Sequence, residues 1–69
     1  MLTVLFVDGK EKQYDADTAS KAGSRFFLHK WNKESRKYET CETAFPADEV
    51  VWAEYHNGRK VLGDGKRTR

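Results

Sequence analysis

Wherever the apolar pattern along the chain is clear its period is two, so strands are predicted and no long amphipathic helix fits anywhere. Leu2-Thr3-Val4-Leu5-Phe6-Val7 is apolar on both faces and stops at Asp8-Gly9. Asp-Gly suits a two-residue type I′ turn, which would set Val7 opposite Lys10, Leu5 opposite Lys12 and Thr3 opposite Tyr14. The returning Lys10-Glu11-Lys12-Gln13-Tyr14 is polar, so the first strand is expected inside a sheet and the second near an edge. Asp17-Thr18-Ala19-Ser20-Lys21-Ala22-Gly23 fits one helical turn capped by Asp17 and stopped by Gly23, or a loop or ragged strand turning at Ala22-Gly23; we take the latter. In Arg25-Phe26-Phe27-Leu28-His29-Lys30-Trp31, Phe26 and Leu28 share one face while Phe27, His29 and Trp31 share the other.

Asn32-Lys33-Glu34-Ser35 is a polar loop, and residues 37–45 return from it. A loop of four residues would put His29 opposite Tyr38, and one of five would put it opposite Glu39; the pattern leaves both open. Pro46 lacks an N–H and fixes φ, so Pro46-Ala47-Asp48-Glu49 is expected to break the ladder with a tight 3₁₀-like turn. Val50-Val51-Trp52-Ala53-Glu54-Tyr55 follows, with Val50 and Trp52 on one face and Val51, Ala53 and Tyr55 on the other. Asn57-Gly58 is a second hairpin signal, pairing Tyr55 with Lys60 and Ala53 with Leu62 if the loop has two residues. From Gly63 onward no apolar residue remains, and residues 63–69 are expected to form a flexible basic tail beyond one β domain of residues 1–62. The fold class that results is all-β, a small antiparallel sheet or SH3-like barrel of five to six short strands.

Phe45-Pro46-Ala47-Asp48-Glu49-Val50-Val51 resembles the strand, 3₁₀ turn and last strand of SH3-like barrels. That resemblance implies a small barrel. The aromatic ligand-groove motifs of SH3 domains have no counterpart near the N-terminus, so proline-peptide binding is not carried over. The layout of an opening strand, Asp-Gly, a polar strand and a late Phe-Pro…Val-Val is also similar to short uncharacterised phage and bacterial proteins, and this brings no activity with it.

Sixty-nine residues make one domain with a small core, and the single cysteine excludes an internal disulfide and a four-cysteine zinc site. A lone thiol and an opening without a basic n-region or long apolar run suggest a cytoplasmic protein without a membrane span. His29, Cys41 and His56 are isolated from one another in sequence, whereas zinc ligands come in close pairs, so no metal, no cofactor and no catalytic residues are expected.

Charge is placed in blocks although the net value is only +2. Residues 21–37 carry +5 and residues 38–56 carry −5. Arg25 and Lys30 are expected to pair across the hairpin with Glu42 and Glu39. Two binding classes remain. The apolar residues exceed what one face of a small sheet can hide, so a protein partner or a second copy is expected, with Trp31, Trp52 and Tyr55 as the candidate anchors. The alternative is nucleic acid on a basic and aromatic sheet face, using Arg25, Lys30, Lys33, Arg36, Lys37, Lys66, Arg67 and Arg69.

Overall fold

The computed structural model describes residues 1–55 and 57–66. His56 and the nucleic-acid candidates Arg67 and Arg69 lie outside the described residues.

The chain is all-β, with seven strands among the described residues rather than five or six: β1 (Leu2–Phe6), β2 (Glu11–Tyr14), β3 (Thr18–Ala22), β4 (Arg25–Asn32), β5 (Lys37–Pro46), β6 (Val50–Glu54) and β7 (Lys60–Leu62). A 3₁₀ turn at Ala47–Glu49 joins β5 to β6, at the place where Pro46 is expected to interrupt the ladder. The strands form two antiparallel sheets, β2-β1-β6-β7 and β3-β4-β5, and the barrel does not close. The extra strand is β3. The turn of Gly23 (φ 60°) and Ser24 sets Ala22 opposite Arg25, and the polar run from Thr18 pairs in full with β4.

Both Asx-Gly hairpins are one residue out of the expected register, for the same reason. Phe6 N–H donates to Lys10 O and Gly9 N–H to Phe6 O, making a three-residue loop in which Leu5 lies opposite Glu11 and Leu2 opposite Tyr14. The Asp8 carboxylate accepts from Lys10 N–H (2.9 Å), and only Gly9 takes positive φ (89°). A type I′ turn needs positive φ at both central residues, which Asp8 does not adopt. At the other end Tyr55 N–H donates to Arg59 O, Asn57 Oδ1 accepts from Arg59 N–H (3.1 Å), and Ala53 lies opposite Val61.

The β4–β5 register matches neither expected alternative. β4 runs one residue further, to Asn32, which pairs with Lys37, so that His29 lies opposite Thr40 and Lys30 opposite Glu39. Asn32 closes the loop itself: its Oδ1 accepts from Glu34 N–H (2.9 Å) and its Nδ2 donates to Glu39 (2.6 Å). Arg36 completes the turn at φ 54°. Further along, Phe27 pairs with Ala44, so Cys41, Glu42 and Thr43 lie opposite Leu28 alone. A bulge of this kind bends its strand.

The core lies between the sheets. Leu2, Val4, Ala16, Ala19, Phe26, Leu28, Ala47, Val50 and Ala53 form one buried cluster. A bulge opposite the Leu5/Phe6 step puts Val50 opposite Phe6 and Trp52 opposite Leu5, so Val50 and Ala53 both face inward and the expected alternation along β6 is broken at Val51. The tyrosine after β6 pins one sheet to the other. Tyr55 Oη donates to Ala19 O (3.0 Å) and accepts from Thr18 Oγ1 (2.9 Å).

Hydrogen-bonded backbone continues past Leu62, where the sequence predicts the start of a flexible tail. Asp64 N–H donates to Ala47 O (2.8 Å) and Gly65 N–H to Val50 O (2.9 Å), and the Asp64 carboxylate pairs with Lys21. The two glycines allow this close approach. A Cβ on Gly63 would run into the Val50 carbonyl and lie 2.8 Å from Ala47 O, and one on Gly65 would lie 2.8 Å from the carbonyl oxygens of Asp48 and Val50.

Candidate functional site

The β4–β5 hairpin leads out of the body past the bulge, and its tip carries exposed aromatics. Trp31 and Tyr38 are cross-strand neighbours, 42% and 55% exposed, with ring centroids 5.0 Å apart and planes at 70°. That edge-to-face arrangement sets the positive rim of one ring against the negative face of the other. Tyr38, which is not among the anchor candidates read from the sequence, is half of the pair. No spacing rule could find it until the register was known.

Besides the backbone bond from Asp17 N–H to His29 O (2.9 Å), two side-chain interactions fix the arm to the segment before β3. Asp17 Oδ2 accepts from Trp31 N–H (2.7 Å), and Lys30 forms an ion pair with Asp15. The hydrogen bond and charge of Lys30 hold the Asp15 carboxyl below its ordinary range, and Asp15 in turn raises Lys30. Lys30 does lie opposite Glu39, as expected, but its ammonium turns to Asp15 while Glu39 receives the Asn32 amide. Arg25 lies opposite Pro46 rather than Glu42.

A cleft of about 320 Å³ lies on one side of the aromatic pair, lined by Asp17, Thr18, Trp31, Tyr38, Tyr55 and Arg59. Trp31 also borders a second cleft of about 430 Å³ with Lys30, Asn32 and Lys33. Of the three anchor candidates the structure thus brings Trp31 and Tyr55 to one surface, although the Tyr55 hydroxyl is already committed to the other sheet. Trp52 sits elsewhere. It is half-buried on the outer face of β6 beside Leu5 and Leu62, with the Lys60 ammonium 4.7 Å from its ring centroid.

The basic candidates do not form one surface. Lys33 and Arg36 lie in the loop at the tip, with Lys37 opening β5 beside them. Arg25 is at the far end of β4, ~16 Å from Lys30 at the rise of an extended strand. Lys66 follows Gly65, which is bonded to Val50 in the other sheet.

The outer face of β3-β4-β5 carries a polar chain. His29 Nε2 is 2.6 Å from Ser20 Oγ, and its Nδ1 is 3.1 Å from Thr40 Oγ1. Both ring nitrogens are therefore engaged by hydroxyls, which fixes the ring. Cys41 is a free, half-buried thiol in the bulge, packed against the core.

No family model, curated protein or solved structure matches the chain. Among the described residues no three of His, Cys, Asp and Glu gather as a metal-binding group, and no helix is long and apolar enough to cross a membrane.

Proposed function

We propose that this protein is a small non-catalytic binding module that holds a protein partner, or a second copy of itself, on the tip of the β4–β5 arm. The observation that carries the reading is the Trp31–Tyr38 pair, exposed side by side on a hairpin whose base is anchored in the core. Tryptophan and tyrosine bring large contact area at low entropic cost and dominate the energetics of many interfaces. Around them Lys33, Arg36 and Lys37 alternate with Glu34 and Glu39, a mixed rim that suits a protein surface. The lone cysteine supports placing the protein in the reducing cytoplasm. In a pull-down from its source cell, Trp31→Ala should lose the partner while the melting temperature stays close to that of the parent chain. Retained capture by a folded Trp31→Ala variant defeats the proposal.

A second reading has one specific support: Lys33, Arg36 and Lys37 surround an exposed tryptophan, the combination that neutralises phosphates and stacks bases in single-stranded nucleic acid. Titrating labelled single-stranded DNA and RNA at low and moderate salt decides it, because phosphate contacts lose affinity steeply as salt rises. Absence of binding at low salt removes this reading.

A further inference from the structure

The sheets are joined along one side of the molecule and open along the other. On the joined side Lys21 of β3 meets Asp64, which follows β7. On the open side β2 and β5 are both free edges, with no ladder between them among the described residues. A cleft of about 480 Å³ lies between β2 and the Phe45 end of β5, within the ~300–1,000 Å³ range of ligand sites. Its apolar wall is aromatic: Phe45 stands 5.1 Å from Phe6 and 5.4 Å from Tyr14, centroid to centroid. Partial burial there raises the Tyr14 phenol above its ordinary value.

The register settles what β2 presents. Phe6 and Lys10 form a hydrogen-bonded pair (2.9 Å), and antiparallel alternation makes Val4–Lys12 and Leu2–Tyr14 hydrogen-bonded pairs as well. The N–H and C=O groups of Glu11 and Gln13 therefore point away from β1, along the edge where no strand lies. Lys10, Lys12 and Tyr14 line the cleft. Neither lysine is in an ion pair with a described residue. Asp8 and Glu49 lie at the turn end of the same cleft and disfavour a carboxylate there.

We propose that this seam is a peptide-binding groove, separate from the arm, for an extended acidic segment of a partner protein. The segment adds to β2 through the backbone of Glu11 and Gln13. It lays an apolar side chain on Phe6 and Phe45 and sets carboxylates against Lys10 and Lys12. Two uncommitted cations on one face of a free edge choose acidic over basic segments, and the Asp8–Glu49 end admits a positive group, which fixes the direction of the chain.

The test uses the full chain and a short fluorescent peptide that carries both Glu and Val among the alternate residues of its cleft-facing side, with its Lys–Val counterpart as the opposed probe. The acidic peptide should bind, and Lys10→Glu with Lys12→Glu should weaken it about tenfold or more while the Lys–Val peptide gains. Methylating the peptide amides that face β2 should abolish binding, and the amide resonances of Glu11 and Gln13 should shift on titration. Trp31→Ala should leave this binding unchanged, so the groove and the arm stand or fall separately. No binding of the acidic peptide, equal binding by the folded double variant, or shifts confined to the arm would overturn the proposal. So would a chain that dimerises through β2 and excludes the peptide, because the occupant would then be a second copy.

Discussion

The two halves of the β4–β5 hairpin are built from the same kinds of residue and do opposite things. At the root, Phe26 faces Phe45 and is fully buried; at the tip, Trp31 faces Tyr38 and both are exposed. The divide falls at Leu28, where Cys41, Glu42 and Thr43 crowd opposite one residue and β5 bends. Before the bend, the other sheet covers the aromatic face. After it, the Asp15–Asp17 stretch is what reaches the strand. An aromatic pair therefore contributes stability or contact surface according to which side of a bulge it occupies.

The strongest way to break that contrast is to empty the root. Phe26→Ala should cost about 3–5 kcal/mol, close to the whole stability expected of so small a core, and urea denaturation should find it largely unfolded. If it tolerated truncation as well as Trp31 is expected to, the division at the bulge would be wrong. Gly63→Ala tests whether the root end also depends on the segment after β7. The added methyl meets backbone carbonyls that cannot rotate away, so a loss of about 1–3 kcal/mol is expected by thermal melting.

Tyr55→Phe removes only the hydroxyl that joins the sheets, and should cost about 1 kcal/mol by denaturant titration with the ring still in place. The smallest effect belongs to the base of the arm. Asp15 is depressed in the folded chain, so its contribution is present above the ordinary carboxylate range and fades as pH falls through the folded value. Lys30 is raised, so its share is present below the ordinary lysine range and fades as pH rises through the folded value. Lys30→Met should return the Asp15 carboxyl toward its ordinary titration, followed by carboxyl NMR shifts. Both side chains of the pair are exposed to solvent, so the melting temperature should hardly move.

Period-two patterning, Pro46 and the turn glycines were enough to read an all-β chain, an interior β1, an edge β2 and a 3₁₀ turn before β6. What they could not supply was register. Asp8-Gly9 and Asn57-Gly58 mark where the chain reverses, but a two-residue and a three-residue loop share those letters. The choice depends on a side chain accepting a hydrogen bond from the N–H two residues on. β3 was read only as a loop or ragged strand because Thr18, Ser20 and Lys21 are polar, and its strand character comes from pairing with β4 along its whole length. Sequence singled out Trp31 as an exposed anchor type, whereas Tyr38 became its partner only through the Asn32–Lys37 closure. The groove at Phe6, Tyr14 and Phe45 joins residues far apart in the chain, and no local pattern announces it.

The passage of Gly63 and Gly65 across Ala47 and Val50 has a practical corollary. A chain trimmed at the last residue of β7 would lose the N–H groups that Asp64 and Gly65 bring to the Ala47 and Val50 carbonyls, and would leave Lys21 without its counterion. An affinity handle joined directly to Leu62 would push side-chain bulk into a crossing that admits only glycine. Handles belong after Lys66, and a shortened chain that melted like the parent would show this final crossing to be dispensable.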